Sequence, residues 1–329
     1  MGIQVVIPLA GLGTRLRPHT LVRPKPLIPV AGKPMLAHIL DRLIGLSVEE
    51  VIFITGHLGE QVEAWAATSC PFPCRFVIQR ELRGQAPAIA LTRELITHPM
   101  LIIFADTIFD ADLSGLENLD ADGLLFVREV DDPRRFGVAV VEDDLITRLV
   151  EKPPEPVSNL AVVGVYYVTR PNDLFAAIDH IVARDQRVGG EFYLADALQE
   201  MIVRGARFRV GPTPLWADCG TIEAVLETNA TLLGRSGNDI RGTIGSGVTL
   251  IPPVFVGEGA MIEQSTIGPF ASIGAGTKIS RSDIAMSIVG GHCEIHESAI
   301  RDSLIGERTQ VRGARGNLNV SDHGQVTLE

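Results

Sequence analysis

Two glycines, three arginines and a lysine set between prolines fall within residues 11–26, GLGTRLRPHTLVRPKP, just after the apolar run Ile3-Gln4-Val5-Val6-Ile7. Gly11 and Gly13 have no Cβ, so backbone N–H groups there can close on an anion and positive φ costs little. Pro24 and Pro26 restrict the backbone on either side of Lys25 and confine its ammonium. No acidic residue precedes Asp41, although the chain of 329 residues carries a formal charge of −11. A cationic, glycine-turned segment in an acidic protein implies a phosphate ligand.

Two carboxylates extend that chemistry. Asp106 ends the apolar run Leu101–Ala105, which puts it at the carboxyl end of a strand, and Asp218 follows Trp216 ahead of a helix that Thr221 could cap. Mg²⁺ suits one or two carboxylates together with phosphate oxygens and retained waters. Asp110 and Asp112 read as turn residues. A dinucleotide fingerprint does not fit: Leu16 stands where its third glycine belongs, and Thr55-Gly56-His57 offers no acid for a ribose diol. Nor is the glycine spacing that of a Walker loop.

The elements that must position these residues alternate. Ile3–Pro8, Val51–Thr55, Phe76–Gln79 and Leu101–Ala105 read as strands, with helices over Met35–Leu46, Glu60–Ala67 and Ala86–Ile96. Such alternation implies right-handed crossovers and a parallel sheet with ligands at the carboxyl ends of its strands. From Gly123 to Val168 the strands crowd together, which predicts mixed or antiparallel pairing, and further helices follow near Asp173–Ala183, Tyr193–Arg204 and Ile222–Leu233. After Gly237 aliphatic residues recur in steps of six and five, at 244, 250, 256, 262, 267, 273, 279, 284, 289, 295, 300, 305 and 311. This is a hexapeptide repeat; three steps make one triangular coil of a parallel β-helix. About four coils are expected, with the polar tail after Val311 covering the last. The fold class is therefore α/β, a Rossmann-like mixed but mainly parallel sheet over residues 1–236, then a β-helix over 237–329.

The motifs together resemble the sugar-1-phosphate nucleotidyltransferases, through Gly11-Leu12-Gly13-Thr14-Arg15-Leu16-Arg17-Pro18-His19-Thr20, Arg23-Pro24-Lys25-Pro26, Gly32-Lys33-Pro34, Ala105-Asp106, Glu151-Lys152-Pro153, Glu191–Asp196 and Trp216–Thr221. The resemblance spans the whole chain and implies that the β-helix is left-handed. It implies attack by a sugar 1-phosphate on the α-phosphorus of a nucleoside triphosphate, with pyrophosphate leaving and Mg²⁺ held by Asp106 and Asp218. Catalysis would be positioning and charge stabilisation. By the same resemblance Arg15 steadies the transferring and leaving phosphates, Lys25 contacts the α-phosphate, and Leu9, Ala10, Gly11, Gly13, Thr14, Gln79 and Gly84 bind the nucleotide. Gly137, Glu151, Lys152, Gly164 and Tyr166 would bind the sugar phosphate. Core packing is an equal reading for Tyr166 and Trp216, and Glu191 and Asp196 could equally be helix-start acids. Arg17, Arg23 and Lys33 read as solvated or supporting cations.

The loop Ala10-Gly11-Leu12-Gly13 is one residue shorter than the Ala-Gly-Gly-x-Gly form of thymidylyltransferases and resembles uridylyltransferases. A pyrimidine nucleotide, dTTP or UTP, with glucose 1-phosphate is the expectation; a mannose-1-phosphate guanylyl enzyme is the alternative. Other readings are an acyltransferase β-helix using His292, His296 or His323, and a non-catalytic regulatory subunit. The acidic balance argues against nucleic acid. No apolar stretch is long enough for a membrane span, and a cytoplasmic location is expected, with Cys70, Cys74, Cys219 and Cys293 as structural or free thiols. Open β-helix ends and flat faces predict a homo-oligomer.

Overall fold

Strand β1 (Ile3–Pro8) is apolar along most of its length and must be covered on both faces. In the structure, a computed structural model describing residues 2–328, it lies between two parallel neighbours in a mixed sheet. The strands of that sheet are β1, β2 (Val48–Thr55), β3 (Cys74–Ile78), β4 (Met100–Ile103), β5 (Gly123–Glu129), β6 (Gly137–Glu142), β7 (Leu145–Glu151), β8 (Leu160–Val168) and β9 (Phe208–Pro212). Their order is β3-β2-β1-β4-β8-β5-β9-β7-β6. The half built from β3, β2, β1 and β4 is parallel; β8 then pairs antiparallel with β4 and with β5, the mixed pairing expected from residue 123 onward.

Compactness divides the described chain into two units, neither continuous in sequence. One joins the residues up to Gly11 to Ala37–Trp216; the other joins Leu12–Leu36 to the chain from Ala217 onward. In the first, the sheet and helices Gln85–Ala90, Pro171–Ala183 and Leu194–Val203 share a core of residues such as Val6, Ile52, Ile102, Leu125, Phe192 and Phe208. Helix Met35–Asp41 is shorter than the expected Met35–Leu46: bonds from Arg42 N–H to Ile39 and Leu43 N–H to Leu40 tighten the chain into turns. Helix Gln85–Ala90 likewise stops before Ile96 and gives way to a tight turn over Arg93–Leu95.

The second unit contains the left-handed β-helix. Its three faces hold six, six and five described strands, so the stack has more than the four coils expected. The chain beyond Val311 does not cover the last coil; Arg315–Gly316, Asn319–Val320 and Gln325–Thr327 form one. Inside, the columns Ile262-Ile279-Ile295-Val311 and Val256-Ile273-Val289-Ile305 are in register and at most 2% exposed. Ile244, the first of the predicted series, is exposed. Corner serines supply the polar counterpart. Ser298 Oγ donates to the His296 carbonyl (2.8 Å) and accepts from the Ala314 N–H one coil on (3.2 Å), as Ser282 does for Ser298. The corner N–H groups of Ser282, Ser298, Ser303 and Ala314 thus have a serine acceptor in the coil before.

Ser298→Ala should therefore strand the N–H of fully buried Ala314 and lower stability by about 1–3 kcal/mol. Arg301→Ala, on an exposed coil position, should change it by less than about 0.5 kcal/mol. Urea unfolding midpoints check both.

Candidate functional site

Where β1 ends, Leu9 N–H donates to the Ile54 carbonyl of β2 (2.9 Å), and Leu9 and Ala10 are buried, leaving only their backbone for a ligand. A side chain at Gly56, just past β2, would meet Ala10 Cβ at 2.9 Å, so that glycine lets the two strand ends close up. At Gly11 a Cβ would meet nothing within 4 Å, and its φ is not positive. The two glycines of the loop thus act differently: Gly11 leaves open space, and the positive φ belongs to Gly13 alone (58°).

Gly13 opens the segment Leu12–Leu36 in the other unit. A Cβ there would strike Thr20 Cγ2 at 2.9 Å and Lys25 Cβ at 3.3 Å, so the turn folds back onto the base of the lysine side chain. Thr20 Oγ1 donates to the Gly13 carbonyl (2.8 Å) and closes it. Three one-turn helices follow, Thr14–Leu16, His19–Leu21 and Lys25–Leu27; Pro24 precedes the last in extended geometry and Pro26 lies inside it, the restriction expected around Lys25. Thr14 and Arg15 are exposed. The same unit brings Arg15 and Asp218 together: a Cβ on Gly220 would lie 2.8 Å from Arg15 Nη2 and 3.0 Å from Asp218 Oδ1. Thr221 caps helix Ile222–Ser236 as expected, its hydroxyl accepting from Ala224 N–H. Arg23 is not a solvated cation; it is ion-paired to Glu307 and Asp322.

In the first unit a second cluster forms around Glu151 and Lys152 at the end of β7. Gly137 and Glu151 are paired across β6 and β7, and Glu151 Oε2 fills the place of a Gly137 side chain at 2.9 Å. Lys152 has φ 45°, and its ammonium donates to Tyr193 Oη (2.6 Å) while lying 3.7 Å from Glu151 Oε1. Burial, with the charges of Asp196 and Glu191, overcomes that ammonium and pushes the Glu151 carboxyl up to about 7. Near neutrality the group can accept or donate hydrogen bonds to hydroxyls. Tyr166 is buried, edge-on to Phe104 (5.7 Å), and burial and the charges of Glu151 and Asp106 hold its phenol protonated. Asp106, Glu151 and Tyr166 therefore share one electrostatic neighbourhood. At Gly164 (φ 83°) a side chain would meet Thr107 and Phe104, so a bulge in β8 requires glycine.

Asp196 stands in the first turn of its helix and accepts from the Tyr193 backbone, the helix-start role read for it, yet its Oδ2 is buried without a partner. Trp216 packs edge-on against Phe136 (4.8 Å) with its indole N–H also unpartnered. Tyr193, through its bond from Lys152, joins this cluster although the sequence reading gave it no role inside the Glu191–Asp196 motif. Gln79 follows the edge strand β3 and its Nε2 donates to the Glu81 carbonyl, whereas Gly84 (φ 116°) abuts the backbone of Phe192, next to Tyr193, where a Cβ would come within 2.4 Å of the carbonyl oxygen. Asp112 accepts from Ser114 N–H in a turn and Asp110 pairs with Arg42. Among the described residues no helix is long and apolar enough to cross a membrane.

Residues 4–235 match the nucleotidyl transferase family. The chain is 31% identical to the bifunctional protein GlmU of Methanocaldococcus jannaschii, over 93% of this chain and 78% of that protein. It is 30% identical to the glucose-1-phosphate thymidylyltransferase of Streptomyces antibioticus, over 95% and 90%. Among solved structures, a UDP-glucose pyrophosphorylase complexed with UDP-glucose superposes with a TM-score of 0.61 and 23% identity, over 71% of this chain and all of the other.

Because the folded Glu151 keeps a proton that an unfolded glutamate releases, its environment costs nothing below about pH 4.5 and progressively more as pH rises to about 7. The loss should be on the order of 3 kcal/mol between those limits. Glu151→Gln should flatten that fall, as read by urea unfolding near pH 5 and pH 7.5.

Proposed function

We propose that this chain, which belongs to the nucleotidyl transferase family, joins dTTP or UTP to glucose 1-phosphate and releases pyrophosphate. One observation carries the reading: a guanidinium, that of Arg15, and a carboxylate, that of Asp218, lie side by side over a glycine that leaves them room, in the unit that also folds Lys25 against Gly13. Cations on exposed, glycine-turned backbone suit a triphosphate, and the likeness to a thymidylyltransferase supports the pyrimidine and the sugar.

The reaction brings two polyanions together, and a phosphate oxygen of the sugar displaces pyrophosphate from the α-phosphorus in line. Arg15 and Lys25 offset charge on the transferring and leaving phosphates. Lys152 holds the sugar phosphate, and Glu151, boxed in by Gly137 and Tyr166, bonds to sugar hydroxyls. Gln79 and the Gly84 backbone read the base. Asp106 and Asp218 are hard oxygen donors suited to Mg²⁺, which when bound would neutralise phosphate charge. The β-helix serves assembly into a homo-oligomer in this reading, and light scattering should find more than one chain per particle.

A second activity is raised by the likeness to a protein named bifunctional. Acyl transfer would need His292, His296 or His323 as a base on the β-helix, and of these only His296 is engaged on both ring nitrogens here, Nδ1 with Ser280 Oγ and Nε2 with the Arg281 guanidinium, which disfavours that one. Release of free CoA from acetyl-CoA with a sugar acceptor would restore that reading.

The decisive experiment is pyrophosphate release with Mg²⁺, each common nucleoside triphosphate and several sugar 1-phosphates, mannose 1-phosphate with GTP included. Arg15→Ala or Lys25→Ala should slow turnover by about 10²–10³-fold, roughly 3–4 kcal/mol. Asp106→Asn and Asp218→Asn should abolish it while circular dichroism stays native; near-normal rates in either would reject the metal assignment.

A further inference from the structure

The segment that carries Arg15 and Lys25 is fixed to the β-helix at two separate places. At the first, the hairpin of Pro29–Val30 and Lys33–Pro34 sets Gly32 (φ 89°) against the ring of Phe255, where a Cβ would come within 2.5 Å. Ala31 N–H donates to Asn229 Oδ1 (2.9 Å), which also accepts from Ser272 Oγ (2.7 Å). At the second, Arg23 Nη2 lies 2.7 Å from Glu307 Oε2 and 2.9 Å from Asp322 Oδ2, and its Nε donates to Asp322 at 3.0 Å. His19 Nε2 meets Asn319 Oδ1 at 2.6 Å, and Ser321 Oγ donates to the Pro18 carbonyl at 3.3 Å.

Thr14–Leu16, which carries Arg15, lies just before the second anchor, and Lys25–Leu27 lies between the two. Both, like His19–Leu21 within the anchor, are one-turn helices closed by two or three backbone bonds, Leu16 to Gly13, Leu21 to Pro18 and Leu27 to Pro24 among them, and turns of that length do not persist alone in water. The side chains of Arg23 and Asp322 are 21% and 12% exposed, and a guanidinium fork on two partly buried carboxylates fixes direction as well as distance. Two carboxylates also neutralise Arg23, so it does not compete with Arg15 and Lys25 for an anion.

We propose that Glu307, Asn319 and Asp322, acting through Arg23 and His19, are positioning residues for Arg15 and Lys25. The last coils of the β-helix thereby become part of the machinery for nucleotidyl transfer, a role that rests on the reading of those two cations given above.

The test pairs hydrogen–deuterium exchange on the full unliganded chain with steady-state rates using Mg²⁺, glucose 1-phosphate and UTP or dTTP. Arg23→Met, and as a milder change Asn319→Ala, should speed exchange at the amides of Leu16, Leu21 and Leu27, while Lys278 and Glu294 in the coils keep wild-type protection. For Arg23→Met kcat should fall about 10²-fold, the cost of misplacing a catalytic group by about an ångström. Either KM should change far less, and Arg23→Lys should recover part of the rate. Unchanged exchange at the three loop amides, or a wild-type kcat in a variant whose loop has loosened, overturns the proposal. If Arg23→Met also unprotects the coils, Asn319→Ala decides by the same two readouts. If the wild-type chain transfers no nucleotide, the functional reading has failed, and exchange alone then decides whether the coils hold the segment.

Discussion

A strand covered on both faces can offer polar groups to a ligand only where it ends, and that constraint orders the first unit. Leu9 to Gly11 follow β1, Gly56 follows β2, Gln79 follows β3, Asp106 follows β4, and Glu151 and Lys152 end β7. In β1, β2 and β4 the apolar sequence that forces burial also sends the chemically useful residues to the strand's end, whereas β3 and β7 are half-exposed. Glycine appears where two such ends crowd each other, at Gly56 beside Ala10 and Gly137 beside Glu151.

The second unit meets a different demand. Each coil is too thin to have a core of its own, so its branched residues stack on those of the next coil and its corner N–H groups find serine oxygens in the coil before. Cationic side chains in the Leu12–Leu36 segment are divided by this arrangement. Arg23 is bound by carboxylates of the repeat, whereas Arg15 remains exposed beside Asp218. Sequence-level charge segregation therefore overstates the number of cations available to an anion.

Periodicity made most of this legible. Strict aliphatic steps reveal the β-helix because the same side chain must be inside at every coil. The final coil escaped notice because Gly316 takes the place of an aliphatic residue and the spacing shortens to 15 residues between Gln310 and Gln325. Motif residues at strand ends were likewise readable, since their types carry chemistry. What the chain could not disclose were long-range partners: Tyr193 under Lys152, Asn319 and Asp322 under His19 and Arg23. Left-handed backbone at Ala31 and Lys152 was equally hidden, because neither residue type announces it.

Phe255 and Asn319 stand on the same face of the prism, joined through the rungs Ser272, Ile288 and Leu304. Four steps of about 4.8 Å place them roughly 19 Å apart along the axis. Since Gly32 rests on one and His19 on the other, the number of rungs between them works as a ruler for a stretch of only a dozen or so residues. Evolution can lengthen such a solenoid freely beyond its last rung, but inserting or deleting one inside this interval would pull the two ends of that stretch out of step.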